Sequence, residues 1–181
     1  MASLCDALTS ISKDCLNSIG GVDEVLLNDL ADIASVTITS GEVTAIALDG
    51  GSPVYFQAYQ MTRDSSVLSH TAEVDTTAGS TLYAQTLTLQ FKRQELAKRN
   101  SVMLMAAGQR DLVALVKDNN GQWWLAGYSP DLTQGLQLTG GESSTGTAKS
   151  DMNGYVVELS NQLPERPYPV DSSIIAALLA P

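Results

Sequence analysis

The stretch Arg110 to Asn161 reads RDLVALVKDNNGQWWLAGYSPDLTQGLQLTGGESSTGTAKSDMNGYVVELSN. Two strand-like runs, Leu112 to Val116 and Trp123 to Gly127, flank an Asn119-Asn120-Gly121 corner. Asn120-Gly121 is a strong hairpin signal, because both central positions of a type I′ turn take positive φ. The spacing therefore predicts a type I′ hairpin. A loop rich in Gly, Ser and Thr is expected over residues 129–150, broken by a short extended piece at Leu136 to Thr139. Asn153-Gly154 then leads into a strand from Tyr155 to Leu159. This stretch supplies sheet edges and long arms. It supplies no nucleophile, base or metal cluster, which points to work done by shape and self-association.

Upstream lies the best helix candidate, residues 92–107, KRQELAKRNSVMLMAA. It holds no Gly or Pro and is dominated by good helix formers. Leu96, Met103 and Ala107 fall on one face, joined by Ala97 and Leu104, and Gly108 is a plausible stop. Before it, Leu82 to Phe91 alternates with period two, placing Leu87, Leu89 and Phe91 inward and Thr86, Thr88 and Gln90 outward. Further strands are expected near Val25 to Leu27, Ile33 to Thr39, Val43 to Leu48 and Val54 to Met61, the last opened by Pro53. Val67 to Val74 reads as a weak strand, and residues 62–81 as the polar part of a long β-arm. One helix among strand runs predicts an α+β fold, mainly β. Residues 1–21 read as an N-terminal arm. Residues 164–181 read as an extended tail, polyproline-like through Pro167 and Pro169, whose apolar end SSIIAALLAP docks on the body.

The chain has 181 residues, 44% hydrophobic and 17% charged, which fits one folded domain spanning 1–181 with a real core. No apolar run reaches the roughly 18 residues that a membrane span requires. The N-terminus lacks a charged start followed by an apolar run, so no signal peptide is expected. Cys5 and Cys15 read as free thiols, with a disulfide left open.

The net charge of −10 is unevenly spread. Residues 1–91 hold eleven acidic and two basic side chains, and residues 111–181 hold eight and three. Residues 92–110 hold Lys92, Arg93, Lys98, Arg99 and Arg110 against Glu95 alone. The helix is thus a basic island in an acidic protein. A broad basic face for nucleic-acid binding is not seen. An acidic surface is instead compatible with DNA sliding past.

Chemical motifs are weak throughout. Residues 138–146, LTGGESSTG, lack the Gly-Lys-Ser/Thr ending of a phosphate loop. Asp151-Met152-Asn153-Gly154 echoes a calcium loop but lacks its distal acid and reads as a turn. His70 has no Ser or Cys partner at a telling spacing and reads as a surface histidine. Trp123 and Trp124 point to opposite faces of a strand, one to core and one to an interface. No cofactor, metal or catalytic residue is expected, and an enzyme is disfavoured.

At this point the chain resembles structural proteins of tailed phages, especially those infecting Bacteroidetes, and is similar to their tail tube proteins. The segments that carry the resemblance are TLYAQTLTLQFKRQELAKRNSVML (81–104), LVALVKDNNGQWWLAG (112–127), GLQLTGG (135–141), STGTAKSDMNGYVVELS (144–160) and LPERPYPVD (163–171). The opening CLNSIGGVDEVLLNDLADIASVT (15–37) joins them. The resemblance implies a β-sandwich or small β-barrel with a flanking helix. It implies hexameric rings that stack into a tube through which DNA is ejected, within the virion tail, after assembly in the host bacterial cytoplasm. Other tail or neck proteins are the implied partners, and no membrane is involved.

By the same analogy the arm 62–81 and the loop 139–150 make inter-ring contacts. Subunit contacts are then expected at Thr76, Thr77, Gly79, Thr139, Gly140, Gly141, Thr145 and Trp124. Two other readings stand beside this one. The first is a head–tail connector or tail-tip ring of related fold. The second is a carbohydrate-binding β-sandwich, an adhesin or decoration protein, motivated by Trp123, Trp124 and Tyr128.

Overall fold

The computed structural model describes residues 10–13, 15–50, 54–62, 64–107 and 109–179. Eleven strands and two helices follow in order: β1 Val22–Asp29, β2 Ile33–Thr39, β3 Glu42–Leu48, β4 Gln57–Gln60, β5 Val67–Asp75, β6 Ser80–Lys92, α1 Leu96–Ala106, β7 Leu112–Asp118, β8 Trp123–Ala126, β9 Gln137–Ser144, β10 Gly154–Leu163, β11 Tyr168–Val170 and α2 Ile175–Leu178. They form two sheets. A seven-stranded sheet runs β2-β3-β11-β8-β7-β1-β4, and a four-stranded sheet runs β5-β6-β10-β9. All pairings are antiparallel except the short β11–β3 contact. The fold is α+β and mainly β, a two-sheet sandwich with one substantial helix. Both sheets are open, so the sandwich alternative holds and the closed barrel does not.

The seven-stranded sheet is buried on both faces at its centre. Alternate residues separate cleanly. Val25 and Leu27 of β1 and Leu112, Ala114 and Val116 of β7 face one core; Leu26, Val113 and Leu115 face another. This is why β7 reads as an unbroken apolar run. The first core is closed by Leu87 and Leu89 of β6, Val157 and Leu159 of β10, and Met105 of α1. The second is closed by Phe56 and by Ile175 and Leu178 of α2. The C-terminal apolar segment therefore docks as expected.

Three expectations need correction. The β7–β8 turn is not type I′. Asp118 N–H donates to Gln122 O and Gly121 N–H to Asp118 O, leaving a three-residue loop in which Gly121 alone has positive φ, +88°. That is a type I turn closed by a left-handed glycine. The Asp118 carboxylate selects it by accepting from the N–H groups of Asn120 and Gln122. The loop 129–150 contains the eight-residue strand β9, which pairs with β10 along nearly its whole length. The strand expected at Val67 to Val74, by contrast, is β5, paired with β6 through a turn at residues 76–79 as the β-arm reading expects. The segment Pro164 to Val170 is not a free polyproline tail; Tyr168–Val170 is an interior strand.

The helix begins at Leu96, not Lys92, because β6 continues to a Lys92↔Gly154 pair and Arg93 then turns with φ +66°. That later start changes which face meets the core. Met105 and Val102 pack inward, while Leu96 is 73% exposed and Met103 and Leu104 are also exposed. The remaining strand readings agree with β1 to β4 and β6 within a few residues at each end. Gly108, Pro53 and Cys5 lie outside the described residues; Cys15 is an exposed free thiol.

Gly154 is set by close approach. A Cβ there would collide with the Phe91 carbonyl oxygen, whereas one on Gly140 would meet the Glu158 side chain at 3.7 Å, an ordinary contact. Gly154→Ala is expected to cost about 1–3 kcal/mol through overpacking. Gly140→Ala is expected to be near neutral. Urea unfolding of both variants measures the difference, and equal costs would contradict the assigned β10–β6 register.

Candidate assembly surface

The four-stranded sheet has one dry and one wet face. Period two puts Leu87 and Leu89 of β6 and Val157 and Leu159 of β10 in the core. The intervening residues Thr86, Thr88, Gln90, Val156, Glu158 and Ser160 therefore face away from it. On β5, Leu68 points inward, and Ser69, Thr71, Glu73 and Asp75 share the outward parity. The four strands carry Glu73, Asp75, Glu142 and Glu158 against a single cation, Lys92, at the end of β6. The outer face is thus a hydroxyl, amide and carboxylate surface.

The edge strands of this sheet are β5, which is open, and β9, which lies beside α1. β5 is nine residues long, pairs with β6 without a register break, and is exposed at eight of its nine positions. β9 forms the other side, with Thr139, Gly140 and Gly141 on that edge and one register shift against β10 at Thr139. The edges of the seven-stranded sheet differ. β4 has four residues, and β2 is interrupted by two register shifts. Short strands and bulges protect an edge from further pairing, and β5 has neither.

The expected contact residues do not converge on one spot. Thr76, Thr77 and Gly79 form the β5–β6 turn. Thr145 lies beyond Ser144, beside the Gly154↔Lys92 pair, at the opposite end of the sheet. Trp124 is on β8, in the other sheet. It is half-buried, and its indole N–H donates to Asp118 Oδ2 at 3.1 Å. With Ile19, Val22, Leu68, His70 and Pro167 it lines a cavity of about 330 Å³. Trp123 is buried in the second core and Tyr128 packs against that core, as the opposite-face reading of the pair requires.

Each end of the sheet is held by a carboxylate. Asp75 Oδ1 accepts from Thr77 N–H at 2.8 Å and Ala78 N–H at 3.1 Å. Asp151 Oδ2 accepts from Thr147 N–H at 2.8 Å and Ala148 N–H at 2.7 Å. These backbone bonds favour the charged form and lower both pKa values below the ordinary aspartate range. Asn153 holds the β6–α1 corner by accepting from Arg93 N–H at its carbonyl and from Gln94 N–H at Oδ1.

The N-terminal arm is anchored by the β7–β8 turn. Asn120 exchanges two hydrogen bonds with Ile19, at 2.8 and 2.9 Å, and Asn119 Nδ2 donates to Gly20 O. Neither clamp was named from the sequence. Asn-Asn-Gly reads as a turn whatever else its amides do, and the Asp75-Thr-Thr-Ala pattern was the available signal for the other. Among the described residues, no group of three or more His, Cys, Asp or Glu is placed to hold a metal ion. Comparison of the chain with protein-family models, curated proteins and solved structures finds no match.

Because the folded pKa of Asp75 is depressed, its contribution to the turn is present above the ordinary aspartate value and is lost as pH falls through the lowered one. The Thr77 and Ala78 amide signals are therefore expected to titrate together in acid, with a midpoint below that of an exposed aspartate. NMR over an acid series tests this. A midpoint at the ordinary value would remove the carboxylate from the turn.

Proposed function

We propose that this chain is a self-assembling structural subunit, the protomer of a ring that stacks into a phage tail tube. In this reading β5 of one copy pairs with β9 of the next. Each added copy extends the four-stranded sheets into one continuous wall, and ring closure leaves no edge free. The wet face of that wall lines the bore. Its carboxylates repel nucleic-acid phosphates, so DNA passes without sticking. Six copies per ring, the virion location and assembly in a bacterial cytoplasm come from the resemblance to tail tube proteins.

One observation carries the reading. Among the described residues, the four-stranded sheet combines a dry inner face, an outer face whose strands carry Lys92 as their only Lys or Arg, and an open edge at β5 that is long and regular. A face that must touch DNA without binding it is expected to be built this way. Helix α1 packs by Met105 and Val102 into the core behind the sheet, where it would brace the wall from outside.

The connector-ring alternative uses the same edges without stacking. The carbohydrate-binding alternative draws less support, because Trp123 and Tyr128 are engaged in the core and Trp124 shares its N–H with Asp118. Negative-stain electron microscopy of the purified chain separates the three. Tubes of uniform bore are expected at high concentration. Discrete rings alone would favour the connector, and a monomer at every concentration would remove both assembly readings.

A further inference from the structure

The two ends of the four-stranded sheet carry opposite charge. At one end the β5–β6 hairpin outruns its neighbours. The last β6–β10 pair is Tyr83↔Leu163, and three further pairs, Glu73↔Leu82, Val74↔Thr81 and Asp75↔Ser80, form a projecting two-stranded ribbon. Val74 on this ribbon is 64% exposed. An isolated two-stranded ribbon is marginal in water. Its charges are the carboxylates Glu73 and Asp75, and neither forms an ion pair among the described residues. At its base Arg166 stacks over the Tyr83 ring.

At the other end β6 finishes in Lys92 and Arg93, and α1 begins with Lys98 and Arg99 in its first turns. Lys149 lies in the adjoining β9–β10 loop. The local acids are partly spent. Glu95 binds Arg93 at 3.0 Å and Lys98 at 3.7 Å; Asp151 accepts from backbone amides as Asp75 does at the tip, where Glu73 accepts from Gln162 Nε2, and each of these carboxylates keeps its charge. Among the described residues Lys92 and Arg99 have no ion-pair partner. The arrangement also works against the helix. An N-terminal turn favours anions, yet α1 has no acid in its first turn and no side-chain cap.

The two ends cannot neutralise each other within one copy. β6 has 13 residues and spans roughly 40 Å, against a screening length of about 8 Å at physiological salt. They can do so between copies placed head to tail. We propose that the acidic β5–β6 tip of one protomer seats on the Lys92–Arg93–Lys98–Arg99 corner of a protomer in the next ring. The occupant of the basic corner is thus a second copy of this chain. The contact is heterologous and repeats without closing, as a growing tube requires. The inference rests on the stacked-ring reading and assigns its axial contact.

A charge swap tests it, with stacking followed by sedimentation velocity and electron microscopy. Glu73→Lys leaves the Asp75 turn intact, and Arg99→Glu leaves the Glu95 pairs intact. Each single reversal is expected to raise the concentration needed for stacking by roughly tenfold or more, while discrete rings persist. The double variant Glu73→Lys/Arg99→Glu restores an opposite-charge pair between positions 73 and 99 at every axial contact and is expected to recover stacking. Circular dichroism of each variant separates misfolding from lost contact. Tubes unaffected by either reversal, or a folded double variant that fails to recover, would overturn the latch and leave the ring reading standing. Retention of inorganic phosphate or duplex DNA by the corner, lost on Arg99→Glu while stacking is unchanged, would overturn it in favour of an anion site. Wild-type chain that never forms rings would overturn both.

Discussion

A β-edge exposes backbone N–H and C=O groups that a neighbouring strand would otherwise bind, and this constraint governs the molecule. Inside the sandwich it is met by strand pairing. β7 and β8 lie between β11 and β1, and β10 lies between β6 and β9. At the periphery two different solutions coexist. The seven-stranded sheet ends in a four-residue β4 and a twice-shifted β2, which discourage addition. The four-stranded sheet ends in β5, long and regular, with no proline or lysine to blunt it. Such an edge is a hazard on a monomer and a joint on an assembly.

The two-core arrangement makes that joint usable. Val25 and Leu27 alternate with Leu26, and Leu112, Ala114 and Val116 with Val113 and Leu115, so the seven-stranded sheet serves two cores at once. One core holds the four-stranded sheet flat against the body by Leu87, Leu89, Val157 and Leu159. The other is sealed by the C-terminal Ile175 and Leu178. Apolar burial of this kind, at about 25 cal/mol per Å² removed from water, is the main source of rigidity. The outer face is thereby relieved of packing and carries hydroxyl, amide and carboxylate side chains.

Much of the fold was legible in the sequence because its periods are clear. The alternation of Leu87, Leu89 and Phe91 with Thr86, Thr88 and Gln90 marked β6, and the continuous run at Leu112 to Val116 marked a strand covered on both faces. Misreadings arose where tertiary pairing overrode local composition. TGGESS looked like a loop, but Gly140 and Gly141 are strand residues opposite Glu158 and Val157. Helical propensity from Lys92 onward was real, but pairing with Gly154 claimed Lys92 for the sheet and rotated the helix face. The contact residues expected from the tail-tube resemblance, Thr76, Thr77, Gly79 and Thr145, mark the two ends of the four-stranded sheet. The carboxylates that hold those ends, Asp75 and Asp151, were not separable from other acids, because their role lies in the backbone amides they bind.

The proposed assembly depends on which edges pair between copies. Amide hydrogen exchange followed residue by residue, in dilute and assembled protein, reads this directly. Assembly is expected to protect the outward-facing edge amides of β5 and β9 strongly, and to leave those of β2 and β4 exchanging as before. Protection confined to β2 or β4, or β5 amides that exchange equally fast in both states, would contradict it.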